Sequence, residues 1–268
     1  MKNLIINIYK TLFFFDFAIV AAYLIPKLKT GRDSLNALLS EAVFLATALV
    51  FTFIFIKFVE KGRLRVFNRR NKLRHYCCGL LVGILPIAVT AVPLFIFKGL
   101  SFNGVNINSF SDVLIWIAAV FCNAAATELL LRGYLWKLYR CYYPLPAVCA
   151  VITVLFISMN IDIFSGGVIY TANLLLGNLA LCFLAEYTHS LLAPITAHFF
   201  YNAVSSLILG SFTVSKDYPY IINTVYSGNK LFSGGDAKLE GSIIMLAANI
   251  ALCLYLSLIH ISEPTRPY

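Results

Sequence analysis

Long apolar runs, separated by short polar or Gly- and Pro-containing stretches, organise the whole chain. A helix rises about 1.5 Å per residue, so roughly 20 consecutive apolar residues are needed to cross a bilayer. We therefore expect an all-α fold, a polytopic transmembrane helical bundle of about eight spans, in which residues 1–255 form a single membrane domain. The predicted spans are roughly 4–25, 35–58, 76–97, 112–136, 146–163, 168–187, 190–210 and 242–259.

Composition agrees with a membrane protein. Of the 268 residues, 60% are hydrophobic and only 12% are charged, and the mean hydropathy is +0.83. In soluble domains, about a quarter of all residues are charged. These values exclude a soluble globular protein.

Positive charge is concentrated in one short segment, Lys61–Arg74, which contributes much of the net charge of +9. Short basic loops beside membrane spans stay in the cytoplasm, and they also attract anionic lipid. We expect membrane lipid, and no nucleic acid, as a partner of this segment. With an even number of spans, both termini would be cytoplasmic.

The seven cysteines are scattered and form no CxxC pair, so we interpret them as small buried residues. The HExxH zinc motif is absent, whereas a catalytic zinc requires three protein ligands. No metal or other cofactor is expected.

Two pairs of polar residues interrupt the apolar spans. Glu128 and Arg132 lie four residues apart in span four, and His198 and Asn202 have the same spacing in span seven. This spacing places each pair on one helical face. Charged residues inside a membrane are costly and usually functional, although the first pair could also be an ion pair that only clamps helices together.

Asn160, near the end of span five, completes the candidate site. A carboxylate can accept a proton from water, while His and Asn side chains can donate hydrogen bonds to a developing oxyanion. Asn160 would lie roughly 20 Å along its helix, a depth that would fit poorly with a site facing the cytoplasm unless the helix starts outside the bilayer.

Three segments resemble the motifs of the CPBP (Abi) family, which contains CAAX-processing endopeptidases and bacteriocin-processing and immunity proteins. The family motifs are EExxxR, FxxxH and HxxxN or HxxxB, and the resemblance covers roughly residues 110–210. The matching segments read TELLLRG from Thr127, FISMN at Phe156–Asn160 and SLLAPITAHFFYN at Ser190–Asn202.

This resemblance implies a CAAX-endopeptidase-like fold in a prokaryotic cell membrane, with a polar cavity that opens toward the cytoplasm. It also implies cleavage of a peptide or protein substrate by a glutamate-activated water. His198 and Asn202 would form the oxyanion-binding pair, and Glu128 would be the second glutamate of the first motif, paired with Arg132.

Two positions depart from the family pattern. Thr127 stands where the family has its general base, and Asn160 stands where it has a histidine. A threonine hydroxyl is no base near neutral pH, and an asparagine amide does not titrate. We therefore expect weak or absent peptidase activity, and the sequence leaves open whether Glu128 replaces the missing base.

Two other functions are compatible with these residues. A non-catalytic relative could bind a membrane peptide in immunity or scaffolding. A small transporter is a third interpretation, since polar intramembrane residues also mark transport paths, but no repeated pair of broken helices supports it.

The last residues have a different origin in our interpretation. Leu256–Arg266 resembles the translation of an adapter used for sequencing libraries. We interpret residues 256–268 as non-native and exclude them from every functional argument.

Overall fold

The computed structural model describes residues 2–26, 29–64, 66, 71–106, 109–211 and 220–262. The described residues form a helical bundle, which confirms the predicted fold class. The α-helices are α1 (Lys2–Thr11), α2 (Phe17–Leu24), α3 (Asp33–Ile54), α4 (Lys72–Ile96), α5 (Phe110–Glu128), α6 (Trp136–Arg140), α7 (Leu145–Met159), α8 (Val168–Thr188), α9 (Leu192–Asn202), α10 (Lys230–Ser233) and α11 (Ile243–Ser262). Segments of π-helix extend or join them at Leu12–Asp16, Phe55–Val59, Leu129–Leu135 and Ala203–Ile208, and 3₁₀ turns occupy Ile161–Phe164 and Gly235–Gly241.

Among the described residues, six helical stretches are long and apolar enough to cross a membrane, and the fifth and seventh predicted spans form shorter helices. Helix α7 ends because Asn160 leaves the helical region, with φ of −126° and ψ of 64°. Helix α9 begins only after His189 has turned the chain with a φ of +47°. The six long stretches are Leu4–Leu24, Asp33–Val59, Lys72–Ile96, Phe110–Arg140, Val168–Thr188 and Gly235–Ile259.

Two short strands, which the sequence analysis did not predict, add to the helices. Strand β1 (Leu100–Val105) pairs antiparallel with β2 (Ile222–Tyr226), and Leu100 lies opposite Tyr226. The strands lie in the loops after the third and seventh predicted spans, and alternating spans place these two loops on the same side of the membrane. Their pairing ties these loops together at one end of the bundle.

Side-chain contacts define the two ends of the bundle. At the first, which we call the basic end, Lys10 contacts Glu60 at 2.6 Å and Arg74 donates to the Tyr187 hydroxyl at 2.5 Å. The opposite end carries β1 and β2, and we call it the hairpin end. Of the basic segment, residues 65 and 67–70 lie outside the described part of the chain.

The helix that carries the first motif is the centre of the bundle. In Phe110–Arg140, 56% of the most apolar 18-residue segment is buried, compared with 17–33% of the corresponding segment in the other long stretches. The Tyr134 ring lies 4.4 Å from Phe14 and 5.5 Å from Phe55, measured between centroids. Its hydroxyl donates to Glu60 at 2.9 Å. Aromatic packing thus holds the motif helix against the first two predicted spans.

Helix α9, which carries the third motif, is held by close backbone packing on α4. A Cβ atom at Gly79 would lie 2.4 Å from the Ala193 carbonyl oxygen, and one at Gly83 would lie 2.4 Å from that of Ala197. Small residues four positions apart let membrane helices approach to backbone contact. The glycines of α4 therefore set the position of α9.

The end of the chain is helical in its described part. Helix α11 runs to Ser262, and Leu256 is buried against α8 and α9. The interpretation of residues 256–268 as non-native stays a prediction, and residues 263–268 lie outside the described part. The single domain over residues 1–255 likewise stays a prediction.

Candidate functional site

Glu128 and Arg132 form a fully buried pair at the centre of the bundle. Glu128 is the last residue of α5, and Arg132 lies in the π-helical segment that follows. Arg132 Nη1 donates to Glu128 Oε1 at 3.0 Å, and both side chains are 0% exposed. The predicted pairing is confirmed.

The other side of the Arg132 guanidinium binds α8. Its Nη2 donates to the Asn178 backbone oxygen at 2.9 Å, to the Asn178 side-chain oxygen and to Cys182 Sγ at 3.6 Å. Asn178 in turn donates to Thr153 of α7 at 3.0 Å. A planar guanidinium with fixed donors suits such a junction, so Arg132 links the motif helix to α7 and α8.

His198 brings the third motif to the same carboxylate. Its Nδ1 lies 2.8 Å from Glu128 Oε1, the oxygen that Arg132 also contacts. Because an ionised carboxylate only accepts hydrogen bonds, Nδ1 is the donor when Glu128 is charged. The second oxygen, Oε2, is buried and has no hydrogen-bond partner among the described residues.

A cavity of about 660 Å³ lies beside this cluster. Thr127, Asn160, His198 and Asn202 line it, so residues of all three motifs meet there. Glu128 has no exposed surface and supports the wall through His198. The structure therefore brings the predicted residues together, with the difference that the motif carboxylate is behind the cavity wall.

Asn160 lies at the end of α7, and its side chain is bonded to its own helix. The amide Nδ2 donates to the Phe156 backbone oxygen at 2.8 Å. The amide therefore helps to cap α7 while its residue lines the cavity. Exposed lining residues beside it, such as Ser158 and Asp162, lie where α7 and α8 are connected, at the hairpin end.

One carboxylate that lines this cavity was not predicted from the sequence. Glu41 of α3 lines it, and Glu41 Oε2 accepts a hydrogen bond from Asn123 Nδ2 of α5 at 3.0 Å. The sequence did contain an indication, because Glu41, like Glu128, is a charged residue inside an apolar span, and such residues are usually functional.

A further polar cluster lies toward the hairpin end. Tyr201, which precedes Asn202 in the third motif, donates to Glu240 Oε1 at 3.1 Å. Asn173 donates to the Glu240 backbone oxygen at 2.7 Å, and Asn249 donates to Asn173 at 2.9 Å. These contacts tie α8, α9 and α11 together around the cavity.

Among the described residues, no group of three or more His, Cys, Asp or Glu side chains could hold a metal ion. His198 and Glu128 are in direct contact, and Glu128 also binds Arg132.

Comparison with models of known protein families gives a match for the central part of the chain. Residues 109–204 match the family described as type II CAAX prenyl endopeptidase Rce1-like. No curated protein matches the chain. The matched segment runs from α5 to the π-helical end of α9 and so contains the Glu128–Arg132 pair, Asn160, His198 and Asn202. The resemblance predicted from the three motifs is thereby confirmed, and this central segment is Rce1-like.

Proposed function

We propose that this protein is an intramembrane endopeptidase that cleaves a membrane-associated peptide slowly. The observation that carries the proposal is the contact of 2.8 Å between His198 and Glu128 at the wall of a polar cavity. The family match supports a peptide substrate of the CAAX type.

In this proposal His198 and Asn202 bind the oxyanion. Asn202 presents an amide, a hydrogen-bond donor, at the cavity wall, and the His198 ring donates from Nε2 when it carries both protons. Fixed donors that face a developing oxyanion stabilise the transition state, and the loss of one typically costs about 10²–10³ in kcat. Glu128 and Arg132 act as positioning residues, since neither has exposed surface.

The rate should be low because two family positions carry residues that cannot exchange protons with substrate. Thr127 and Asn160 both line the cavity, and neither side chain titrates near neutral pH. The loss of a general acid or base typically lowers the catalytic rate about 10²–10⁴-fold.

The experiment is cleavage by purified protein in liposomes, with a farnesylated peptide that ends in a CAAX sequence and its unprenylated counterpart as probes. Cleavage that falls about 10²-fold or more in His198→Ala or Asn202→Ala would support the proposal. Val154→Ala is a matched control, because Val154 is exposed on the outer surface of α7. The absence of cleavage of both probes by the native protein would overturn it.

A second function, peptide binding without cleavage, is favoured by one contact. The Asn160 amide is engaged with Phe156 of its own helix, so it offers the cavity no acid–base group. A native protein that binds the farnesylated probe in liposomes but never cleaves it would favour this function.

A further inference from the structure

Of the motif residues that line the cavity, only His198 could take a proton, and the proposed function uses its doubly protonated ring as a hydrogen-bond donor to the oxyanion. Thr127 and Asn160 cannot take a proton from water near neutral pH. Glu128 can, but its side chain is 0% exposed, and one of its oxygens is engaged by both Arg132 and His198. With His198 acting as a donor, hydrolysis at this cavity needs a base from outside the three motifs.

Glu41 offers a carboxylate in the required place. It is half-buried, lines the cavity and lies on α3, outside the segment that matches the family. A carboxylate within an apolar span is costly unless a partner or a function retains it.

A short chain of contacts places Glu41 near the oxyanion-binding pair. Asn123, the hydrogen-bond partner of Glu41, precedes Thr127 by four residues on α5. Residues with this spacing are neighbours on one helical face, about 5–6 Å apart between Cβ atoms. Thr127 adjoins Glu128, which contacts His198. Glu41 thus contacts a residue that lies one helical turn from the position where the family pattern has its base.

We propose that Glu41 is the proton acceptor of this protein and serves in place of the missing glutamate at position 127. This inference rests on the proposed endopeptidase function. Glu41 removes a proton from water as the water oxygen bonds to the peptide carbonyl carbon, and the carbonyl electron pair moves to the oxygen. When the oxyanion collapses, the C–N bond breaks and the Glu41 carboxylic acid returns the proton to the leaving amine. The products are a carboxylic acid and an amine, and Glu41 is again ionised.

A purely structural role for Glu41 predicts a different pattern of variants. If Glu41 only clamps α3 to α5, then Glu41→Gln is tolerated, because the glutamine oxygen still accepts from Asn123. Asn123→Ala would then be the damaging change. If Glu41 is the base, the glutamine cannot take a proton, whereas Asn123→Ala leaves the carboxylate in place.

The experiment measures kcat and KM for the farnesylated CAAX probe in liposomes. Glu41→Gln should lower kcat about 10²–10⁴-fold with little change in KM, and Asn123→Ala should lower it less than about tenfold. Adding Thr127→Glu to Glu41→Gln should restore much of the lost rate, which a merely unfolded variant would not show. If Glu41→Gln does not fold, Glu41→Asp replaces it, and a displaced carboxylate should still lower kcat about tenfold or more.

Two outcomes separate failure of this inference from failure of the proposed function. Cleavage by the native protein that Glu41→Gln leaves unchanged overturns the role of Glu41 and leaves the endopeptidase function standing. No cleavage by the native protein overturns both.

Discussion

Arg132 is the residue on which the buried network depends. It neutralises Glu128 and also binds Asn178, and its side chain has no exposed surface. Arg132→Met would fill similar space but leave the Glu128 charge without its cation. Breaking one partner of a buried pair costs about 3–5 kcal/mol. We expect a loss of that size in the free energy of unfolding, measured by denaturant or thermal unfolding in detergent micelles.

The matched control is an exposed ion pair of the same type. Arg32 contacts Asp112 at 2.7 Å, but the two side chains are 54% and 35% exposed. Water and salt screen such pairs, so Arg32→Met should change stability far less. Equal losses in the two variants would contradict the assignment of Arg132 as the centre of a buried network.

Restoring the family pattern should raise activity. Thr127 and Asn160 both line the cavity, so Thr127→Glu with Asn160→His would add a carboxylate and an imidazole beside His198. We expect the double variant to cleave the farnesylated probe roughly tenfold or more faster than the native protein, since acid–base groups contribute about 10²–10⁴-fold. A double variant no faster than the native protein would show that these positions do not limit the rate.

The sequence predicted the residue pairs that lie within one helix better than the contacts between helices. Glu128 and Arg132 share a face because of helical periodicity alone, and their contact followed from spacing. The partners of Arg132 on α8, Asn178 and Cys182, depend on how two helices pack. The contact of Glu41 with Asn123 depends on packing in the same way, so spacing within one segment could not predict it.

At the scale of elements, the packing of α4 against α9 positions His198. A Cβ atom added at Gly79 would lie 2.4 Å from the Ala193 carbonyl oxygen. A Cβ atom added at Gly177 of α8 would have no neighbouring atom within 4 Å. Gly79→Ala should therefore force the helices apart and destabilise the fold by about 1–3 kcal/mol. Thermal unfolding in micelles measures the effect.

Gly177→Ala is the control for this change. Both glycines are inside helices, so alanine gives each variant the same gain in helix propensity, up to about 1 kcal/mol. Only the steric contact differs between them. Gly177→Ala should be neutral or stabilising, and a destabilisation as large as that of Gly79→Ala would contradict the close-packing argument.

Element boundaries show what apolar runs can and cannot predict. The apolar runs predicted all the long helices of the described residues, because a helix that crosses a bilayer needs about 20 consecutive apolar residues. The shortness of α7 and α9 depends on backbone turns at Asn160 and His189, which hydropathy does not register. The pairing of β1 with β2 joins loops far apart in sequence, so no local pattern indicated it.

At the scale of the whole molecule, two expectations from the sequence conflict. The basic segment was expected to be cytoplasmic, and the family resemblance implied a cavity that opens toward the cytoplasm. In the structure the exposed lining residues Tyr23 and Asp162 lie away from the basic end, toward the hairpin end. We expect the mouth of the cavity at this end, in which case the two expectations cannot both hold and the positive-inside rule places the mouth away from the cytoplasm.

Reporter fusions test the orientation of the bundle. Arg63 follows Glu60 at the basic end, and Asn223 lies in β2 at the hairpin end. Fusions after these residues should report the cytoplasm for Arg63 and the opposite compartment for Asn223. The same compartment for both would contradict the predicted topology.

Thiol labelling then tests the side on which the cavity opens. Asp162 lines the cavity at the hairpin end, and the exposed native Cys141 lies in the turn between α6 and α7 at the basic end. In a cysteine-free background, Asp162→Cys should react with a membrane-impermeant reagent in intact cells. A matched variant that retains only Cys141 should react only in inside-out vesicles, because the basic end is cytoplasmic by the charge rule. The reverse pattern would place the cavity mouth in the cytoplasm, as the family resemblance implies, and would make this basic segment an exception to the positive-inside rule.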